Sequence, residues 1–252
     1  MGYFNIELKP AISAQNCVTA FGNGDLIADW VVKTVPTKKP FRIMGATCIE
    51  RGTNGASQAS QYELIFASPN DDLTKPSSLG TVNGSVNGNS FYNHLVGIYN
   101  VMGVSDNIDN VNVYSPLNTD GNQEDELVIE PSRVVAKDGS IKFEGHDVNG
   151  TICIGVITSA GAPDFGTGVL LDNGEGQAAA TTEQTLVVKT VDVRKALAVG
   201  DTVAASDGAA IGTVVSIASD TRFNVDKVEA ALENNDEIVN LNPLTFIIHC
   251  EY

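Results

Sequence analysis

Val199-Gly-Asp-Thr-Val-Ala-Ala-Ser-Asp-Gly-Ala-Ala-Ile-Gly-Thr-Val-Val-Ser-Ile217 sets two short Val- and Ile-bearing runs on either side of Asp207-Gly208. β-Branched residues suit a pleated, half-buried surface. Asp-Gly and Asn-Gly take up positive φ with little strain, which a type I′ hairpin turn requires at both central residues. The stretch therefore reads as a β-hairpin, and the same signal recurs along the chain. Asn23-Gly24, Asn54-Gly55, Asn83-Gly84, Asn87-Gly88, Asp120-Gly121, Asp138-Gly139, Asn149-Gly150 and Asn173-Gly174 separate further short runs rich in Val, Ile, Thr, Phe and Tyr. Turn signals at such intervals predict antiparallel sheet folded as a sandwich or barrel.

Upstream of this hairpin, Tyr3-Phe-Asn-Ile-Glu-Leu8 alternates, placing Phe4, Ile6 and Leu8 on one face of a strand that ends before Pro10. Leu26–Val35, Phe41–Glu50, Gln61–Ala67, Phe91–Val104, Val111–Tyr114, Glu126–Ile129, Arg133–Ala136, Ile141–Glu144 and Thr151–Thr158 are the further strand candidates. Phe41–Glu50 and Gln61–Ala67 flank Asn54-Gly55 and read as a hairpin with a small-residue tip. Asn173-Gly-Glu-Gly-Gln-Ala-Ala-Ala-Thr-Thr has no apolar period and reads as a linker. Beyond it, residues 186–242 form a compact unit. Asp226 followed by Glu229 is a capping box, and Val228, Ala231 and Leu232 supply an apolar stripe, so a helix is predicted over Asp226–Glu233. Leu244–Tyr252 is again an apolar strand, expected to pair near the N-terminal strand and so make the small unit an insertion. The expected fold is all-β: an antiparallel β-sandwich over 1–180, joined by strand 244–252, with a small β-barrel over 186–242 carrying one short helix.

The charge is lopsided, 31 acidic against 15 basic residues, for a net charge of −16. Nucleic acid and anionic lipid are recognised by clustered Lys and Arg, and the only adjacent basic pairs are Lys38-Lys39 and Arg194-Lys195, far apart in the sequence. Neither partner is expected. No run approaches the roughly 18 apolar residues of a membrane span. The opening Met1-Gly-Tyr-Phe-Asn-Ile-Glu-Leu8 has neither the basic nor the apolar region of a signal peptide, so a reducing cytosol is the expected site of synthesis. The four cysteines, Cys17, Cys48, Cys153 and Cys250, lack metal or redox spacing and read as small buried hydrophobes.

Residues that carry chemistry are sparse. His94, His146 and His249 have no ligand partner at metal spacing, and His249 and Cys250, adjacent on a strand, face opposite ways. Gly22-Asn-Gly-Asp and Gly161-Ala-Pro-Asp-Phe-Gly-Thr-Gly168 have glycines but neither a following helix nor a phosphate-binding lysine. Asn118, Asp120, Asn122 and Glu124 alternate as oxygen ligands around Gly121, which makes them a calcium candidate; Asp106-Asn-Ile-Asp-Asn110 is a second oxygen-rich turn. Asn83-Gly-Ser and Asn149-Gly-Thr match the glycosylation triplet and read as turns. No cofactor other than calcium is indicated.

Gly200-Asp-Thr-Val203 and Ile211-Gly-Thr-Val-Val215 resemble the facing strands of SH3-like barrels. Together with the Gly/Ala/Asn/Thr/Val-rich texture and the Ala-rich linker, they make the chain similar to virion structural proteins of tailed bacteriophages, in particular head decoration (cement) proteins. That resemblance implies a non-enzymatic protein that binds the capsid exterior, commonly as a homotrimer at local three-fold positions, and braces the lattice. Its place would be the virion, after assembly in the host cytoplasm. Its partners would be the capsid lattice and further copies of itself. The N-terminal strand, with Tyr3, Phe4, Ile6 and Leu8, is the expected contact, because an extended terminus adds readily to a sheet edge. Two other readings are a tail, baseplate or fibre component, and a carbohydrate-binding β-sandwich with Trp30, Tyr62, Tyr92 and Tyr99 lining a groove.

Overall fold

A computed structural model describes residues 2–36, 39–51, 61–70, 72–87, 92–101, 105–108, 111–114, 127–129, 150–166, 169–171, 175–189 and 192–252. In chain order the elements are β1 (Tyr3–Leu8), the single helical turn α1 (Ala14–Cys17), β2 (Leu26–Val35), β3 (Phe41–Glu50), β4 (Gln61–Ala67), a 3-10 turn at Tyr92–His94, β5 (Leu95–Val101), β6 (Ser105–Ile108), β7 (Val111–Tyr114), β8 (Val128–Ile129) and β9 (Gly150–Ala160). There follow β10 (Val169–Leu171), β11 (Gln184–Lys189), α2 (Val193–Ala196), β12 (Thr202–Ala205), β13 (Ala210–Ile217), β14 (Arg222–Val225), β15 (Glu237–Asn240) and β16 (Leu244–Glu251).

These strands form two facing sheets and a closed barrel. The first sheet runs β1-β16-β3-β7-β6, with β8 also on β3; the second runs β2-β9-β4-β5. All the described pairings are antiparallel. Inward residues of both sheets meet in one core: Ile6 and Leu8 of β1, Phe246 and Ile248 of β16, and Phe41 and Cys48 of β3 pack against Tyr62, Leu64 and Phe66 of β4 and Ile152 and Ile154 of β9. The Tyr62 and Phe246 rings meet edge to face, 5.7 Å between centroids. The second sheet is covered on its other face too. Trp30, Ile65, Ala67 and Cys153 pack under Leu79, and Trp30 Nε1 donates to the Ser77 carbonyl at 2.9 Å. This is why β4 and β9 are nearly continuous apolar runs while β1 alternates. Gly155 is glycine because Leu79 occupies the space a Cβ would need.

The barrel order is β10-β11-β14-β13-β12-β15, closed on itself. Its own core holds Leu186, Val188, Val203, Ile211, Phe223, Val225 and Ile238. The barrel begins earlier than position 180, since β10 is one of its strands and Gln177 and Ala180 bridge to Leu232 and Val228. The terminal strand β16 lies between β1 and β3, in register from Tyr3–Glu251 to Leu8–Phe246 and from Leu244–Glu50 to Glu251–Arg42.

Three local expectations are corrected. Asp226–Glu233 is not a helix. Its amides are taken by neighbouring segments: Val228 by Ala180, Glu229 by Ile211, Ala230 by Ala210 and Leu232 by Gln177. Asp226 accepts from Thr213 N at 2.7 Å instead of capping a turn, and it lies so close to Gly212 that a Cβ there would sit 2.5 Å from its carboxylate. Val228 and Leu232 are buried as expected of an apolar stripe, but they plug the barrel from an irregular ribbon. A helix of that length gains little by itself, so the cross-strand bonds prevail. Among the described residues of the barrel the short helix is α2, capped by Asp192, whose carboxylate accepts from Arg194 N. A single turn carries no periodicity for a sequence to reveal, and α1, capped by Ser13, escaped for the same reason.

Second, β3 and β4 are not a hairpin. They belong to opposite sheets, β3 between β16 and β7, and β4 between β9 and β5. Residues 52–60, with Asn54-Gly55, lie outside the described residues, and a turn signal between two strands does not say which edges they join. Third, three Asn-Gly or Asp-Gly pairs lie wholly within the described residues, and none is a type I′ turn. Gly24 and Gly208 have positive φ while Asn23 and Asp207 do not, and at Asn83-Gly84 it is Asn83 that does. Only Asp207-Gly208 closes a hairpin; Gly208 N donates to Ala205 O and the glycine, at φ 98°, supplies the left-handed residue of a three-residue loop.

Separate cores predict separable stability. Phe223→Ala should cost the barrel about 3–5 kcal/mol. Amide protection in β11–β14 should then fall while the denaturant transition of Trp30 fluorescence, which reports the sandwich, stays in place. An equal shift of both would show a single cooperative unit.

Candidate interaction surface

β1 forms one edge of the first sheet. Gly2 and Tyr252 exchange both backbone bonds, each 2.9 Å. In an antiparallel pair such exchange alternates along the strand. Phe4, Ile6 and Leu8 therefore spend their backbone groups on β16, whereas Tyr3, Asn5 and Glu7 direct theirs away from it. Among the described residues no strand pairs with that outer side. The four residues expected to make the contact divide by the same alternation. Ile6 and Leu8 are buried in the sandwich core, Phe4 is half-buried, and Tyr3 is 70% exposed. What β1 offers a partner is mainly its main chain, with Tyr3, Asn5 and Glu7 alongside.

The end of β1 carries an apolar rim. Tyr252, at 44% exposure, and Val128, at 55%, border a shallow hollow of about 540 Å³ lined also by Pro40, Phe41, Arg42 and Glu251. Phe4 supports the hollow from beneath, edge-on to Phe41 at 5.1 Å and tilted against Tyr252 at 5.9 Å. Across the outer face, register places Tyr3, Glu251 and Arg42 in one row over three strands. Arg42 Nε donates to Glu251 Oε2 at 2.5 Å, and Arg42 Nη2 pairs with the same oxygen. These guanidinium bonds, helped by the Tyr3 hydroxyl, hold the Glu251 carboxyl below its ordinary value despite burial; Glu251 in turn raises the Tyr3 phenol. The next row joins Asn5 Oδ1 and His249 Nδ1 at 3.0 Å, and Lys9 closes the far end on Glu7 at 3.5 Å. The sequence reading missed Tyr252, Val128 and the Arg42–Glu251 pair, because only the β16 register brings them to β1.

Other candidates fare differently. Asn118, Asp120, Asn122 and Glu124 lie outside the described residues, as does His146. Asp106, expected in a turn, is on β6. Among the described residues there is no group of three or more His, Cys, Asp and Glu placed to hold a metal. All four cysteines are buried free thiols; burial pushes Cys17 and Cys250 up to about 12 and Cys153 to about 11. His249 is exposed while Cys250 is buried, so they face apart. Trp30 and Tyr62 are buried and Tyr99 is half-buried, which denies a sugar those stacking platforms; the Tyr92 side chain is outside the described set. No helix among the described residues is long and apolar enough to cross a membrane. No protein-family model matches the chain, and no curated protein does. The class defined is thus an all-β protein of antiparallel sandwich and barrel with an open strand edge beside exposed aromatic side chains.

The depressed Glu251 carboxyl has a pH consequence. Its stabilisation is full above the ordinary glutamate value of 4.5 and is lost as pH falls through the lower, folded value. Glu251→Gln should lower the unfolding midpoint at pH 7, and the difference from the parent should shrink in acid below pH 4.5. A difference that holds constant through the acid limb would show that the ion pair contributes nothing.

Proposed function

We propose that this chain is a non-enzymatic virion structural protein of a tailed bacteriophage, a decoration or cement protein that binds the outer capsid surface and braces the lattice. The observation that carries the reading is the open edge of β1, with Tyr3, Asn5 and Glu7 turning backbone donors and acceptors outward beside the rim of Tyr3, Val128 and Tyr252. An edge of this kind is completed by a strand from a neighbour: the main chain supplies affinity and the flanking pockets supply selectivity. A lattice that repeats the same partner segment at every position suits a binder that docks by main chain. The net charge of −16 supports a place on the exterior, since it opposes contact with packaged nucleic acid. Self-association, with a trimer favoured, is part of the same reading.

The test is mass in solution and co-sedimentation with cognate expanded capsids. The expected result is a stable trimer that binds them; a monomer indifferent to capsids would sink the proposal. The edge itself is tested by Asn5→Pro, which removes an amide that β16 does not use. It should weaken capsid binding by about tenfold or more while leaving the unfolding transition of the sandwich nearly unchanged. Capsid binding equal to that of the parent would show that β1 is not the contact.

A further inference from the structure

The barrel is joined to the sandwich by the chain before β10 and by the segment between β15 and β16. At the second connection lies a chain of buried polar groups. Asp201, with no exposed surface, accepts through Oδ2 from Ala198 N and from Asn240 Nδ2, each at 2.8 Å. Asn240 Nδ2 also donates to the Ala196 carbonyl at 2.9 Å, and its Oδ1 accepts from Asn242 N at 2.7 Å. Asn242 then reaches both ways: its Oδ1 accepts from Thr202 N of the barrel at 3.0 Å, and its Nδ2 donates to Pro10 O of the sandwich at 3.3 Å. Leu241 repeats the tie through its backbone, donating to Thr202 O and accepting from Ile12 N, both 2.8 Å.

The second Asp201 oxygen, Oδ1, accepts no hydrogen bond among the described residues and faces Lys9 Nζ at 4.0 Å. The charges that face this carboxylate, Lys9 and Arg51, both come from the sandwich side. Burial outweighs them and raises the carboxyl above its ordinary value. A buried carboxylate so thinly compensated is a poor source of stability compared with apolar packing. The apolar part of the junction is made by Ala204 and Val239, which enter the sandwich core, and by Leu241 packed against it. Beside them a groove of about 460 Å³ lies between Ser13–Gln15 and the β12–β13 hairpin, so the two units are not packed tight throughout. Beneath the connection is Cys17, fully buried, its Sγ 3.3 Å from the Asn240 carbonyl.

We propose that Asn242, held in place by Asn240 and Asp201 on the barrel side, latches the barrel to the sandwich, and that its release lets the barrel hinge away, withdrawing Ala204 and Val239 and uncovering Cys17 while the rest of each core stays folded. Asp201, Asn240 and Asn242 belong to neither apolar core; the barrel core around Phe223 is made of barrel residues, and opening would withdraw Ala204 and Val239 from the edge of the sandwich core that holds Cys17. The buried thiol is a built-in reporter: it is slow to alkylate while covered, because both access and thiolate formation are suppressed.

The experiment is alkylation of the intact native chain by iodoacetamide, with peptide mass spectrometry to read Cys17, Cys48, Cys153 and Cys250 separately. Asp201→Ala and Asn242→Ala should each speed labelling at Cys17 by about 10- to 100-fold, the factor expected when buried hydrogen bonds are lost. The other three thiols should keep the parent rate. Asp201→Asn, which retains an acceptor for Ala198 and Asn240, should stay within about threefold of the parent. Unchanged Cys17 labelling in both alanine variants, or acceleration at all four thiols together, would overturn the latch. If the alanine variants do not fold, hydrogen exchange of the unaltered protein decides. The Ile12 and Leu241 amides should open together, ahead of those of Phe223 and Phe246; opening only with global unfolding would refute the proposal.

Discussion

The pairing of β16 with β1 on one side and β3 on the other is the constraint on which the remaining structure depends. It joins the two ends of the described chain at Gly2–Tyr252 and fixes the register that carries Phe246 and Ile248 into the core. It also returns the chain from the barrel and so makes the barrel an insertion with two tethers. Such contacts span most of the sequence, and their loop-closure cost has to be met before any packing gain is felt. The compensation is the burial of large side chains on both layers, with Tyr62 against Phe246 near the centre.

The legible parts of the sequence were those in which one face decides. β1 alternates because one face is core and the other solvent, and the barrel strands are short β-branched runs between tight turns. What stayed hidden was decided at a distance. Asp226–Glu233 has the cap and stripe of a helix, yet its amides find better partners in Ala180, Ile211, Ala210 and Gln177, residues that composition and spacing do not bring near. β3 and β4 have a turn signal between them, but a turn says that the chain reverses and not which edges then meet. The candidate surface was half visible: Tyr3 and the strand could be read, whereas Tyr252, Val128 and Arg42 join it only through the pairings of β16 with β1 and β3 and of β8 with β3.

The buried polar groups fall into two kinds. On the outer face, Glu251 is held by two guanidinium bonds and a phenol, and it behaves as a satisfied, depressed carboxylate. At the junction, Asp201 has two good donors on one oxygen and a distant ammonium on the other, and it is raised instead. The two acids diverge because desolvation dominates at Asp201, whereas the Arg42 bonds dominate at Glu251. Glu251 lies on the outer face beside β1, and Asp201 at the seam between barrel and sandwich.

The barrel's position as an insertion orders events during synthesis. Translation delivers β1 and β3 early, then the whole barrel, and β16 after it. The barrel has its own core and closes on itself, so it can form on the ribosome while the first sheet still lacks the strand that belongs between β1 and β3. For that interval the nascent sandwich has a gap with two bare edges, and the barrel stands in the chain between that gap and the strand that fills it. The whole insert has to be synthesised before β16 can cover those edges, so its length extends the interval in which they are open to strands from neighbouring chains.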